Sequence, residues 1–188
     1  MKKRGKIIVF TGPSGVGKET VKKLFINDKR FNLRYSISAT SRPKRKGELN
    51  GKNYHFLTKE KFEKWIKKNK FLEWVIFSNN YYGTPDHFLN KYLKKGENVL
   101  LEIELIGAKK VIKKYPDAVT IFLLPPKISD LEKRLSLRKT ENEEEIRKRI
   151  EIAKAEIKEK DLFKYRVVNK EPKESAKEII EILKKELL

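Results

Sequence analysis

The chain has 188 residues, with 46 Lys and Arg against 26 Asp and Glu, a formal net charge of +20 and no cysteine. That length suits one domain with a real core and small inserts, and the missing cysteines exclude a disulfide framework and a thiolate metal site. The basic charge is scattered along the chain rather than gathered into an Arg/Lys block alternating with aromatics, so it points to nucleotides as the specific polyanions and away from a specific nucleic-acid partner.

The basic start MKKRG is followed by an apolar run that stops at Phe10, and no later stretch reaches membrane-spanning length. A cytoplasmic protein without a membrane partner is expected; monomer and homodimer stay open. Ile7–Phe10 reads as a buried strand. Gly12-Pro13-Ser14-Gly15-Val16-Gly17-Lys18 follows as a glycine-rich turn, and Val21, Leu24 and Phe25 fall at helical spacing over Lys18 to about Asp28. Strand, Gly-x-x-x-x-Gly-Lys and helix form the context of a phosphate-binding loop. Glycines let the backbone turn, the loop amides converge on an anion at a helix N-terminus, and Lys18 adds a point charge for the β- and γ-phosphates. These residues, with Glu19 and Thr20, are the candidate ATP-binding set. The motif places Ser or Thr after the lysine, to meet Mg²⁺. Here that residue is Glu19, and Thr20 comes one later. The expectation is that Glu19 turns outward toward Lys22 and Lys23, while Thr20 binds phosphate and Mg²⁺ is held mainly by nucleotide oxygens and water.

Phe31–Ser38 alternates apolar and polar residues and reads as a strand. Ala39–Phe56 is a loop with Pro43, Gly47 and the turn pair Asn50-Gly51. Its Arg42 and Arg45 read either as part of a solvated basic loop or as a fork for a second phosphate, since arginine grips phosphate bidentately. Thr58–Asn69 is a short helix with Thr58 as N-cap and Phe62, Trp65 and Ile66 on one face. Pro85–Lys95 is a further helix, ended by Gly96. Val99–Ile103 is a buried strand of the parallel type. Glu102 and Glu104 lie near its carboxyl end, where ligands sit in open α/β sheets; there they can hold Mg²⁺ through water or contact the acceptor nucleotide. Helix Ala108–Tyr115, strand Ala118–Leu124 and helix Asp130–Arg138 follow. Thr140-x-x-Glu143 is a capping box for a helix carrying Ile146, Ile150, Ala153 and Ile157. Tyr165–Val168 is the last strand, and Pro172 opens a C-terminal helix with Ile179, Ile180, Leu183 and Leu187 as its apolar stripe.

The chain resembles the guanylate kinases. The P-loop is followed by Ser38-x-x-x-Arg42-x-x-Arg45-x-Gly47-Glu48-x-Asn50-Gly51-x-x-Tyr54-x-Phe56. Then come FLEWVIFSNNYYGT (71–84), VLLEIELIGA (99–108), RLSLRKTENEE (134–144) and Val167-Val168-Asn169. All match family segments in order, from about Ile7 to Asn169. The resemblance implies an α/β P-loop nucleoside monophosphate kinase fold. Its parallel five-stranded core sheet, flanked by helices, would take residues 1–37, 85–124 and 162–188. A small β-rich GMP-binding insert would take 38–84, and a helical lid 125–161. It implies transfer of a phosphoryl group from ATP, with Mg²⁺, to GMP and dGMP. Carried over by position, Ser38, Arg42, Arg45, Tyr54, Glu73, Tyr82, Thr84 and Glu104 bind GMP, and Asn169 touches the adenine edge of ATP. Lys18, Arg42, Arg134, Arg138 and Arg149 are catalytic, while Thr20 and Glu102 are indirect metal contacts. The chemistry of Glu73 is coherent: a carboxylate accepts from both N1–H and the N2 amine of guanine, and adenine would leave it unpaired. Where the family has Gln and Gly, this chain has Ile106 and Lys139. Two other classes stay open, a non-catalytic binding module of the same fold and a P-loop kinase of sugar phosphates.

Overall fold

A computed structural model describes residues 4–77, 79–136 and 143–188. By its contacts the chain falls into two units, residues 1–9 with 32–118 and residues 10–31 with 119–188. The division runs through β1 (Ile7–Thr11), whose five residues are all buried. A strand buried on both faces reads as a continuous apolar run, as this one does.

The first unit contains β2 (Leu33–Tyr35) and β7 (Asn98–Glu102), paired in parallel. It also holds a four-stranded sheet in the order β4-β3-β6-β5, made of β3 (Ala39–Thr40), β4 (His55–Phe56), β5 (Phe71–Phe77) and β6 (Asn80–Pro85). Helix α2 (Lys59–Lys67) is capped as expected: the Thr58 hydroxyl accepts from the Lys61 amide at 3.2 Å. Its Phe62 is fully buried and stacks on Phe71 and Tyr81, with centroids 4.3 and 5.1 Å apart. Helices α3 (Leu89–Lys94) and α4 (Leu105–Lys114) complete this unit. The second unit carries α1 (Lys18–Lys23), β8 (Val119–Leu124), α5 (Ile128–Ser136), α6 (Glu143–Lys158), β9 (Tyr165–Val168) and α7 (Pro172–Leu187). Strands β8 and β9 pair in parallel, and the larger sheet has the order β2-β7-β1-β8-β9. The five-stranded parallel core and the small β-rich sheet are thus both present.

Several boundaries differ from the sequence reading. Helix α1 stops at Lys23 rather than near Asp28. The amides of Leu24 and Phe25 bond three residues back, to Val21 and Lys22, so the helix tightens and ends. Leu24, expected on the apolar face, is 47% exposed, while Val21 and Phe25 are buried. Phe31 closes a one-turn 3-10 helix instead of opening a strand. Asn32 then turns the chain at φ 45°, a conformation asparagine tolerates, and the strand starts only at Leu33. Pro85 ends β6, and α3 begins later, at Leu89. On α7 the buried stripe is Ala176, Ile179, Ile182 and Leu183; Ile180 and Leu187 sit only partly covered. The Thr140 capping box and Arg138 lie outside the described residues.

Candidate functional site

The loop between β1 and α1 belongs to the second unit. Gly12 and Gly17 are required there for two reasons. Their φ angles are 151° and 100°, where a side chain is strained. A Cβ on Gly12 would also collide with the Leu123 carbonyl, and one on Gly17 would lie 2.7 Å from Asn169 Nδ2. The loop is tied down from several sides. Lys18 Nζ donates to the carbonyls of Gly12 (2.5 Å) and Pro13 (3.2 Å). Arg134 Nη1 donates to the Val16 carbonyl at 3.0 Å, and Arg149 Nη1 to Ser14 Oγ at 3.2 Å. Two of the three arginines expected to act on the triphosphate therefore stand on the loop itself. Thr20 is exposed on the first turn of α1. Glu19 is 55% exposed at its side chain and pairs with Lys22 (2.6 Å) and Lys23 (3.4 Å). Its charge is neutralised by the two lysines named from the sequence.

Asn169, expected at the adenine edge, is enclosed and tied to the loop. It is 1% exposed. Its Nδ2 donates to the Val16 carbonyl at 2.7 Å, and its Oδ1 accepts from Ser175 Oγ at 3.0 Å. A side chain so covered and so engaged holds the loop against β9 and α7. The Asn169→Ala variant would lose two buried hydrogen bonds, to the Val16 carbonyl and from Ser175 Oγ, at a cost of about 1–3 kcal/mol in all. A lowered Tm together with a raised KM for ATP, the KM for GMP staying within about twofold, is the expected result in calorimetry and steady-state kinetics.

The second cluster lies in the first unit. Ser38, Tyr54, Glu73, Tyr82, Glu102 and Glu104 line one cleft, with Val75, Gly83 and Ile103 as its apolar wall. Glu73 is 5% exposed on β5, and its Oε1 accepts from Thr84 Oγ1 at 2.7 Å across the β5–β6 pairing. Burial raises the Glu73 pKa above the ordinary glutamate range, against the Thr84 hydrogen bond and the nearby Lys110. Burial likewise pushes the Tyr54 hydroxyl up. The Tyr35 hydroxyl lies 3.5 Å from Glu102 Oε2. Arg42 stands over the Tyr54 ring at 5.6 Å, so it borders the cleft. Arg45 is exposed in the same loop.

Glu48 was missed in the sequence. Its carboxylate takes Arg42 Nη2 on both oxygens, at 2.8 and 3.0 Å, and the Arg45 amide at 2.7 Å. Burial works against the Arg42 charge, but Glu48 outweighs it and holds the guanidinium pKa above its usual value. An acid three and six residues after two arginines, behind a glycine, was the available signal. Trp65 packs on Phe71 and Trp74 on Tyr81, and both are half-buried.

Among the described residues, no group of three or more His, Cys, Asp or Glu side chains is placed to hold a metal ion. Nor, among them, is any helix long and apolar enough to cross a membrane.

Comparison with known proteins returns one family. The family described as guanylate kinase matches residues 4–186. The chain is 49% identical over 184 residues to the guanylate kinase of Prochlorococcus marinus (strain MIT 9312), covering 97% of this chain and 99% of that one. It is 45% identical to that of Rubrobacter xylanophilus, over 97% and 95% of the two chains. Among solved structures, guanylate kinase from Anaplasma phagocytophilum superposes with a TM-score of 0.81 at 30% identity, covering all of this chain and 89% of that chain.

Proposed function

The chain belongs to the guanylate kinase family and phosphorylates GMP at the expense of ATP, and from that premise we propose which of its residues do the work. The observation that carries the reading is Glu73, a buried carboxylate held by Thr84 on the wall of a cleft with hydroxyl neighbours. Such a group is costly to bury. A guanine edge recovers that cost, because N1–H and the N2 amine both donate to the carboxylate. Ser38 and Thr84 add hydroxyls beside the base. Arg42, Arg45, Tyr54 and Tyr82 take the GMP phosphate. In this reading Arg42 exchanges the Glu48 carboxylate for phosphate oxygens, a like-for-like partner of its fork.

The donor site is the loop at 12–18 with Lys18, Arg134 and Arg149, and Arg138 would join them from outside the described residues. An oxygen of the GMP phosphate attacks the γ-phosphorus of ATP, and the bond from that phosphorus to the β–γ bridging oxygen breaks. Its electron pair leaves on ADP. The attacking phosphate is already anionic, so no general base is required. Arginines spread over the transferring group's charge, and catalysis is positioning plus electrostatics. Mg²⁺, when bound with ATP, neutralises the β- and γ-phosphates. Thr20 and Glu102 remain indirect candidates near it, and Glu19, already paired with Lys22 and Lys23, is not among its ligands. Glu19→Ser is expected to shift the Mg²⁺ optimum by no more than about threefold, read by titrating Mg²⁺ at fixed ATP; loss of activity would make Glu19 a required ligand.

The functional division into core, insert (38–84) and lid (125–161), a cytoplasmic site of action and activity on dGMP belong to the same proposal. An ADP-release assay with ATP and GMP, dGMP, AMP, CMP and UMP tests it. GMP and dGMP should give turnover above the no-acceptor control and the others little. Equal turnover with AMP would remove the assignment of Glu73 to guanine.

A further inference from the structure

Helix α4 has a glycine as its third residue, Gly107, and helix geometry does not ask for one. Gly107 has no positive φ among the glycines that do. In a helix interior glycine is less favourable than alanine by about 1 kcal/mol. The reason for it lies across the fold. A Cβ built on Gly107 would collide with Glu73 Oε2 and lie 2.9 Å from Glu73 Cδ and 3.5 Å from Oε1. No other neighbour comes as close. The carboxylate cannot simply swing aside, because it is 5% exposed and its Oε1 is bonded to Thr84. Gly107 itself is buried.

We infer that Gly107 is the positioning residue for base recognition: its missing side chain lets the Glu73 carboxylate sit against the first turn of α4, at the register that meets a guanine edge. This rests on the reading of Glu73 as the guanine acceptor. The placement has a second consequence. The first amides of a helix have no partner within it, and its N-terminal end carries partial positive charge. A carboxylate lodged there is favoured in its ionised form, the form that accepts from N1–H and the N2 amine. Burial works the other way and prevails, so the Glu73 pKa stays above the ordinary glutamate range. Lys110, one turn further along α4, donates to the Trp74 carbonyl at 2.5 Å, so the helix is also tied to the strand that carries Glu73.

The test is Gly107→Ala, Glu73→Asp, the double variant and Glu73→Gln, each assayed for GMP and ATP. Shortening the acid by one C–C bond, about 1.5 Å, withdraws the carboxylate from the added methyl. Gly107→Ala alone is expected to lower kcat/KM for GMP on the order of 10²-fold, as misplacement by about 1 Å does. The loss should fall mainly on the KM for GMP, with the KM for ATP within about twofold and a Tm no lower than about 2 °C below the parent. Placing Glu73→Asp on top should recover at least about tenfold, so that the two changes are strongly non-additive. An unchanged KM for GMP in Gly107→Ala overturns the inference. So does a loss that Glu73→Asp does not relieve, including failure of both alanine-bearing variants to fold, because the defect then lies elsewhere in α4. Glu73→Gln separates the two levels. If it keeps the full preference for GMP over AMP, the assignment of Glu73 fails; if it loses that preference while Gly107→Ala does not, only the role of Gly107 fails.

Discussion

Replacing Glu73 by glutamine is expected to make the protein more stable and a far poorer enzyme. The two effects share one cause. Glu73 is 5% exposed, and burial raises its pKa above the ordinary value of 4.5. A glutamate whose folded pKa is raised contributes its full share of stability below the unfolded pKa and loses it as pH rises through the folded pKa. At neutral pH the free protein thus bears the cost of burying an ionisable acid, and glutamine removes that cost while its carbonyl can still accept from Thr84. The Tm of Glu73→Gln should exceed that of the parent at pH 7, and the gap should close as pH falls toward 4.5. Function moves the other way. One of two hydrogen bonds from guanine to a charged acceptor is replaced by a clash of donors. Bonds to charged groups are worth about 1.5–3 kcal/mol, and an unpaired buried donor about as much again. On that basis kcat/KM for GMP should fall by about 10²–10⁴ while AMP changes little. Calorimetry across pH and kinetics on both nucleotides check the pair of effects. A variant less stable at pH 7 with GMP kinetics intact would contradict both.

The second large effect is expected at Arg134. Its guanidinium donates to the Val16 carbonyl within the phosphate-binding loop, a carbonyl that Asn169 also engages. Arg134 is thus pinned at the loop before any nucleotide is considered. Arginines that stabilise the transferring phosphoryl group contribute about 10³–10⁵ in kcat. Arg134→Lys keeps the charge but loses the planar fork, so it cannot hold both the carbonyl and a phosphoryl oxygen. A fall in kcat of about 10³ is expected, with the KM for GMP within about threefold, since the acceptor cluster is built from other residues. Single-turnover kinetics would place the loss on the chemical step. A rise in KM for ATP with kcat unchanged would instead make Arg134 a ground-state binding residue.

The parts of this protein legible in the sequence are those set by local chemistry. A phosphate-binding loop needs glycines where φ is positive and a lysine at a fixed spacing, so Gly12, Gly17 and Lys18 declared it. Strands β1, β7 and β8 are continuous apolar runs because both their faces are buried, and Thr58 caps α2 because a hydroxyl there has one amide to serve. Glu19 was legible too, since its partners lie three and four residues on in the same helix. Family motifs supplied the guanine and phosphate residues; by spacing alone Arg42 and Arg45 read either as part of a solvated basic loop or as a phosphate fork, and Glu73 as a surface acid. Only the tertiary structure decided the contacts between residues far apart in the chain. Asn169 lies 153 residues from the carbonyl it braces, so nothing local distinguished a loop support from a base contact. The partner of Arg42 was near in sequence, but its pairing with Glu48 depends on how the loop closes. Gly107 stood in a family-like segment just ahead of the helix expected from Ala108, with nothing local to explain it. Its reason is a carboxylate 34 residues earlier that needs the space a methyl group would fill.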